Sequence, residues 1–245
     1  MSSELPSVVG YVNFRDLGGH AVPHGRVRSG RVFRSDSLAH CTAEDAQHLL
    51  EVHGVRTVID LRRDHEVDHA PMDVLRDAGV RVEHRSLIDP AVPPLATPDI
   101  VEGTLADRYV EILATSGAQF ASVLRLIADT ENHPLVFQCA VGKDRTGFVA
   151  ATLLQLLGVD DEAITADYAR TAAVIDVLLA RLVAGAPDRE PPGPRIMSAE
   201  ASTMQVALDW LRSTYGGAEG YVRAHGLDRE HVEVLHASLV EPAER

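Results

Sequence analysis

The chain has 245 residues and a formal net charge of −13 at pH 7, which argues against nucleic acid or an anionic membrane surface as the bulk partner. No apolar run approaches the roughly 20 residues of a membrane span, and residues 1–12 (MSSELPSVVGYV) lack the basic and apolar regions of a cleaved leader. Two cysteines, Cys41 and Cys139, are too few for a disulfide framework, so a reducing, cytoplasmic setting is expected. With aromatics at only 4%, the core must be built mainly from Leu, Val, Ile and Ala.

In chain order, residues 31–35 (RVFRS) read as a short strand. Thr42 then opens a helix, with Asp45 three residues on as its reciprocal cap. Residues 55–61 (VRTVIDL) are apolar and β-branched, as in a buried parallel strand, and residues 80–87 (VRVEHRSL) alternate like a strand with a more polar face. The proline-rich residues 90–98 are read as a loop, followed by helices at about 100–114 and 119–129. Residues 134–138 (PLVFQ) read as a central strand and 146–157 (TGFVAATLLQLL) as an apolar helix. The remainder reads as helices at 161–170, 172–184, 200–213 and 228–240. A linker at 185–195 (GAPDREPPGPR) has prolines and glycines that argue against regular structure. Strands alternating with helices predict one α/β domain over residues 1–245, with a mostly parallel central sheet flanked by helices and a helical C-terminal part.

The informative stretch is residues 136–147, VFQCAVGKDRTG. A buried strand runs into Cys139, and Arg145 stands six residues on, at the start of a helix. A thiol becomes a good nucleophile when ionised, which a helix N-terminus and nearby cations favour. The backbone N–H groups of Ala140, Val141, Gly142, Lys143, Asp144 and Arg145 can curl around one point and hold three phosphate oxygens. Gly142 permits the tight turn, and the planar fork of Arg145 can grip two phosphoryl oxygens through the transition state. Thr146 can donate to the thiolate. Lys143, the only lysine in the chain, is expected to add charge for phosphate. Cys41 sits in HCT with neither a strand before it nor an arginine six residues after it, and is assigned to structure.

This stretch resembles the loop of the atypical bacterial tyrosine-protein phosphatases of the PtpB type, HC-x-AGKDRTG. Residues 13–19 (NFRDLGG), 33–38 (FRSDSL) and 58–66 (VIDLRRDHE) are similar to further blocks of that family, as are the pairs Asp167-Tyr168 and Tyr215-Gly216, so the resemblance spans about residues 5–240. It departs at Gln138, where the family has histidine, and at Val141, where it has alanine. Glutamine can hydrogen-bond but carries no charge, which implies a less acidic thiol and slower turnover. The resemblance implies a cysteine-phosphatase-like fold, and a general acid at Asp144 within the loop or at Asp60 closing the strand before Arg62. Asp60 reads equally well as a partner for Arg62 or Arg63, and Asp89 and Asp107 lie upstream as other candidates. It also implies that residues 172–198 contribute a helical lid and flexible loop.

The expected activity is therefore hydrolysis of phosphomonoesters, of phosphotyrosine and with phosphoserine, phosphothreonine and phosphoinositides open, on protein or lipid partners and through a phosphocysteine. No cofactor is implied, and His65 and His69 share helical spacing without a third ligand to make a metal site. Two other classes compete: a non-catalytic phosphate-binding module, and a sulfurtransferase of the rhodanese type, which also uses a loop cysteine. The nucleotide loop GxxxxGK[ST] does not occur.

Overall fold

The computed structural model describes residues 10–89, 104–185 and 192–243. Its strands are β1 (Arg15–Asp16), β2 (Ala21–Val22), β3 (Gly25–Val27), β4 (Val32–Ser35), β5 (Thr57–Asp60), β6 (Arg81–His84), β7 (Leu135–Gln138) and β8 (Val240–Pro242). Helices α1 (Ala43–Glu51), α2 (Asp64–His69), α3 (Asp73–Asp77), α4 (Leu105–Thr115), α5 (Gly117–Ala128) and α6 (Asp144–Leu156) precede the C-terminal part. That part holds α7 (Asp161–Ala169), α8 (Ile175–Gly185), α9 (Pro194–Met197), α10 (Ala201–Tyr215), α11 (Ala218–Ala224) and α12 (Arg229–Leu239). Among the described residues, no single helix is long and apolar enough to cross a membrane.

The central sheet runs β1-β4-β7-β5-β6, with β4, β7, β5 and β6 parallel and β1 antiparallel at the edge. Every residue of β4, β5 and β7 is buried, as expected of parallel strands covered on both faces. Alternation along β7 divides the core. Leu135 and Phe137 face a large cluster with α4 to α7 and α10 to α12, whereas Val136 joins Phe33 and Val58 against α1 and α3. One row of partners crosses the carboxyl ends of the strands: Ser35, Gln138, Asp60 and His84. Cys139 follows directly, at the edge where α/β sheets place their ligands.

The expected reciprocal cap forms. Thr42 Oγ1 accepts the Asp45 N–H at 3.2 Å, and the Asp45 carboxylate accepts the Thr42 N–H at 2.8 Å. Other expectations need correction. Residues 172–184 are not one helix: a 3₁₀ turn at Arg170–Val174 precedes α8, whose only buried apolar side chain among those described is Leu178. Part of the linker read at 185–195 is helical, because Pro194 takes the first position of α9, where its missing N–H costs nothing. Residues 186–191, and the whole of the loop read at 90–98, lie outside the described residues. The sequence reading missed α2, a polar helix with no buried residue and hence no apolar period. It also missed a small antiparallel sheet, β2-β3-β8, that joins the two ends of the domain.

Phe137 is fully buried in the strand that delivers Cys139. Phe137→Ala is expected to lower the unfolding free energy by about 3–5 kcal/mol, measured by urea titration.

Candidate active site

The loop between β7 and α6 is shaped from outside. Gly142 has φ of +70°, and a Cβ there would lie 2.5 Å from the carbonyl oxygen of Ser35 and 2.6 Å from the N of Asp36, so only glycine fits. Asn13 Nδ2 donates to the carbonyls of Val141 and Gly142 at 3.2 Å each, and Arg34 Nη2 donates to Gly142 O at 2.7 Å. The Ser37 N–H reaches Ala140 O at 3.4 Å. With those carbonyls engaged by the scaffold, the N–H groups of Ala140, Val141, Gly142 and Lys143 have no protein acceptor among the described residues. Unpaired N–H groups in a turn before a helix form an anion-binding concavity.

The scaffold is a buried ion network. Asp167 on α7 accepts Arg15 Nε at 2.7 Å and Arg34 Nη1 at 2.6 Å. Arg15 also donates to Asn13 Oδ1 at 2.6 Å, which orients the Asn13 amide so that its NH₂ faces the loop. Burial pushes the Asp167 carboxyl up, but Arg34 and Arg15 outweigh it and hold the group down to about 2. Burial, reinforced by Arg34, lowers Arg15 to about 10. Asp16 accepts the N–H groups of Gly18 and Gly30 at 2.8 and 2.7 Å and pins the turn that follows β1.

Arg145 stands in the first turn of α6, paired through both outer nitrogens with Glu66 of α2, at 2.5 and 2.9 Å. Burial works against the guanidinium charge, but the neighbouring Cys139 and Glu66 outweigh it and raise Arg145 above its ordinary value. Burial likewise opposes ionisation of Glu66, and Arg145 more than offsets it, bringing the carboxyl to about 2. Glu66 went unassigned in the sequence, although it stands in the VIDLRRDHE block. The available signal was its place at the third position of α2, where it accepts the Arg63 N–H at 2.8 Å.

The two candidate acids differ. Asp60 is fully buried and gripped by Arg62, whose Nη2 lies 2.7 Å from Oδ2, and by Gln138 Nε2 at 2.5 Å from Oδ1. Its reading as a partner for Arg62 therefore describes its contacts. Asp144 is partly exposed and accepts the hydroxyl of Tyr109. Lys143 differs from the expectation of a phosphate-facing charge. It is buried, with Nζ on the carbonyls of Ile196 and Ser198 and 3.3 Å from Asp144 Oδ1, so it ties the loop to α9 and the residue that follows it. Thr146 is also engaged: its hydroxyl lies 3.5 Å from Ser35 O. Asp107 closes the cap of α4 with Thr104. Cys41 is buried, and burial followed by Asp45 and Asp36 pushes its thiol up to about 12, which suits an inert structural group.

A cavity of about 390 Å³ opens beside Ala140. α8 forms one wall with Leu178, Arg181 and Leu182, and α2 forms another with His65, Glu66 and His69. Arg181 Nη1 lies 3.3 Å from Asp36 Oδ2 and so fastens α8 to the residue after β4.

Cys139 and Arg145 thus stand at the two ends of a turn that follows the parallel strand β7 and whose N–H groups have no protein acceptor among the described residues. Residues 6–241 match the model of the tyrosine phosphatase family, and the chain belongs to that family. It is 31% identical over 220 residues to a tyrosine-protein phosphatase of Nostoc commune, covering 84% of this chain and 73% of that protein. It is 28% identical to the triple specificity protein phosphatase PtpB of Mycobacterium tuberculosis, covering 97% of this chain and 98% of that one. Among solved structures, the catalytic core of Siw14 aligns over 94% of each chain, at 14% identity and a TM-score of 0.49.

Asp167 ties three segments together and compensates two buried arginines. Asp167→Asn is expected to cost about 3–5 kcal/mol in urea unfolding, because it leaves buried positive charge unpaired. The folded Asp167 and Glu66 carboxyls both lie near 2, below their ordinary values of 3.8 and 4.5. Their stabilisation is thus complete above about pH 4.5 and is lost as pH falls towards 2. Acid-unfolding curves should show that loss in the wild type and a smaller one in Asp167→Asn.

Proposed function

We propose that this protein hydrolyses phosphomonoesters through a phosphocysteine intermediate, with Cys139 as nucleophile. The observation that carries the reading is the loop whose carbonyls are held outward by Asn13 and Arg34 while its N–H groups between Cys139 and Arg145 have no protein acceptor among the described residues. The thiolate attacks phosphorus, the bond to the leaving oxygen breaks, and Asp144 gives that oxygen its proton. Water then attacks the phosphocysteine, returns a proton to Asp144, and the sulfur leaves as thiolate. The N–H groups from Ala140 to Arg145 and the Arg145 fork bind the phosphoryl oxygens in both steps. Glu66 aims the fork, and Gln138 with Asp60 and Arg62 buttresses the strand end beneath Cys139.

Phosphotyrosine is the proposed main substrate, with phosphoserine, phosphothreonine and phosphoinositides as further ones; the triple specificity named for the M. tuberculosis relative supports that breadth. Residues 172–198 act as a lid within a single domain, a reading supported by the weakly buried α8 over the cavity and its Arg181–Asp36 tether. The reaction needs a free thiol and so belongs in a reducing compartment.

Cys139→Ser is expected to lower p-nitrophenyl phosphate turnover about 10³-fold or more, with EDTA leaving the wild-type rate unchanged. Phosphate binding without turnover in the wild type would overturn the enzymatic reading. Glu66→Gln keeps the shape of its partner but removes the charge that aims Arg145. Its kcat/KM should fall about ten-fold in steady-state assays.

A further inference from the structure

Asp144 is held by more than its own loop. Tyr109, on α4, donates its hydroxyl to Asp144 Oδ1, and Lys143 Nζ lies 3.3 Å from the same oxygen. Among the described residues no hydrogen-bond donor reaches Oδ2. Tyr109 is fully buried, and its ring stands edge-on to Phe148 of α6 with centroids 4.4 Å apart, so its hydroxyl has a fixed position. The Tyr168 hydroxyl, from α7, lies 2.7 Å from that of Tyr109. A phenol has one proton to give, and Tyr109 gives it to Asp144, so Tyr168 is the donor in the tyrosine pair. The result is a directed chain, Tyr168 to Tyr109 to Asp144, in which each bond strengthens the next. Gly147, in the first turn of α6, makes room for it: a Cβ there would lie 3.1 Å from the Tyr168 ring.

We propose that Tyr109, backed by Tyr168, is the positioning residue for the general acid: it occupies Oδ1, so that the transferable proton of Asp144 resides on Oδ2. The inference rests on the assignment of Asp144 as the acid. In the first step the Oδ2–H bond breaks as the proton passes to the leaving oxygen, while the bond from that oxygen to phosphorus breaks. Tyr109 keeps its own proton throughout and donates it to a carboxyl that becomes a carboxylate. Burial, then the neighbouring Asp144, pushes the Tyr109 hydroxyl well above the ordinary tyrosine range, which keeps it a donor at every working pH. The charged and titratable groups facing Asp144 are Lys143 and Arg145 from the loop and α6, Tyr109 from α4, and Tyr168 from α7 with Glu200 near it.

A donor stabilises the carboxylate more than the neutral acid, because charge-assisted hydrogen bonds are the stronger kind. Its removal is therefore expected to move the limb of the kcat profile where the acid is lost to higher pH. The test compares Tyr109→Phe with wild type on phenyl phosphate, whose leaving group needs the proton, and on 2,4-dinitrophenyl phosphate, whose leaving group does not. The expected result is a loss of about ten-fold in kcat on the phenyl ester, a clearly smaller loss on the dinitrophenyl ester, and that upward-moved limb. Equal losses on the two esters, or an unmoved limb, overturn the proposal. Asp144→Asn in the same series separates the two levels. If it treats both esters alike, Asp144 is not the acid and the reading above fails. If it loses the phenyl ester selectively while Tyr109→Phe does not, only the role of Tyr109 fails. Should circular dichroism show Tyr109→Phe unfolded, Tyr168→Phe decides: a smaller upward movement of the limb supports the chain, and an unmoved one overturns it.

Discussion

The structure depends on where the carbonyl groups of three loop residues, Ala140, Val141 and Gly142, point. A backbone turn has as many acceptors as donors, and an anion is bound only if the donors alone face it. Asn13 and Arg34 take the carbonyls of Val141 and Gly142, and the Ser37 N–H takes that of Ala140. Asn13 precedes the edge strand β1 and Arg34 lies in β4 beside β7, both more than 100 residues away from the loop in sequence. The loop is thus specified less by its own residues than by what grips it from behind.

That grip needs buried arginines, which constrains the rest of the network. An arginine fork in the interior is costly unless its charge is met, and removal of one partner is costlier than never having built the pair. Asp167 meets both Arg15 and Arg34 and brings α7 into the scaffold. Glu66 does the same for Arg145 from the other side of the site and brings in α2. Two carboxylates held near 2 by arginines therefore brace the loop, one on Arg15 and Arg34 and one on Arg145. The same logic accounts for Asp60, whose charge is spent on Arg62 and Gln138, and leaves Asp144 as the partly exposed carboxyl in the loop itself.

What could be read from the sequence follows from the range of each interaction. The strand–loop–helix unit around Cys139 and the Thr42–Asp45 cap are local, and both are present in the structure. The parallel strands were legible because burial on both faces leaves a continuous apolar run. The pairings that shape the site join residues far apart: Arg34 and Asp167 are 133 positions apart, Arg145 and Glu66 are 79, and Tyr109 and Asp144 are 35. No periodicity encodes such pairs. α2 was missed because it buries no residue and is defined by its cap. Lys143 misled because loop position suggested a phosphate contact, whereas its length carries the ammonium to the carbonyls of Ile196 and Ser198.

The central claim is that outward fixation of the loop carbonyls creates the anion site. Asn13→Ala removes two of the gripping hydrogen bonds without touching Cys139, Arg145 or any loop residue. Titration of inorganic phosphate or vanadate by calorimetry, with circular dichroism to confirm the fold, measures the effect directly. The account predicts oxyanion affinity weakened by about ten-fold or more, since about 1.4 kcal/mol of lost preorganisation corresponds to that factor. An affinity equal to wild type in a folded Asn13→Ala protein would contradict it.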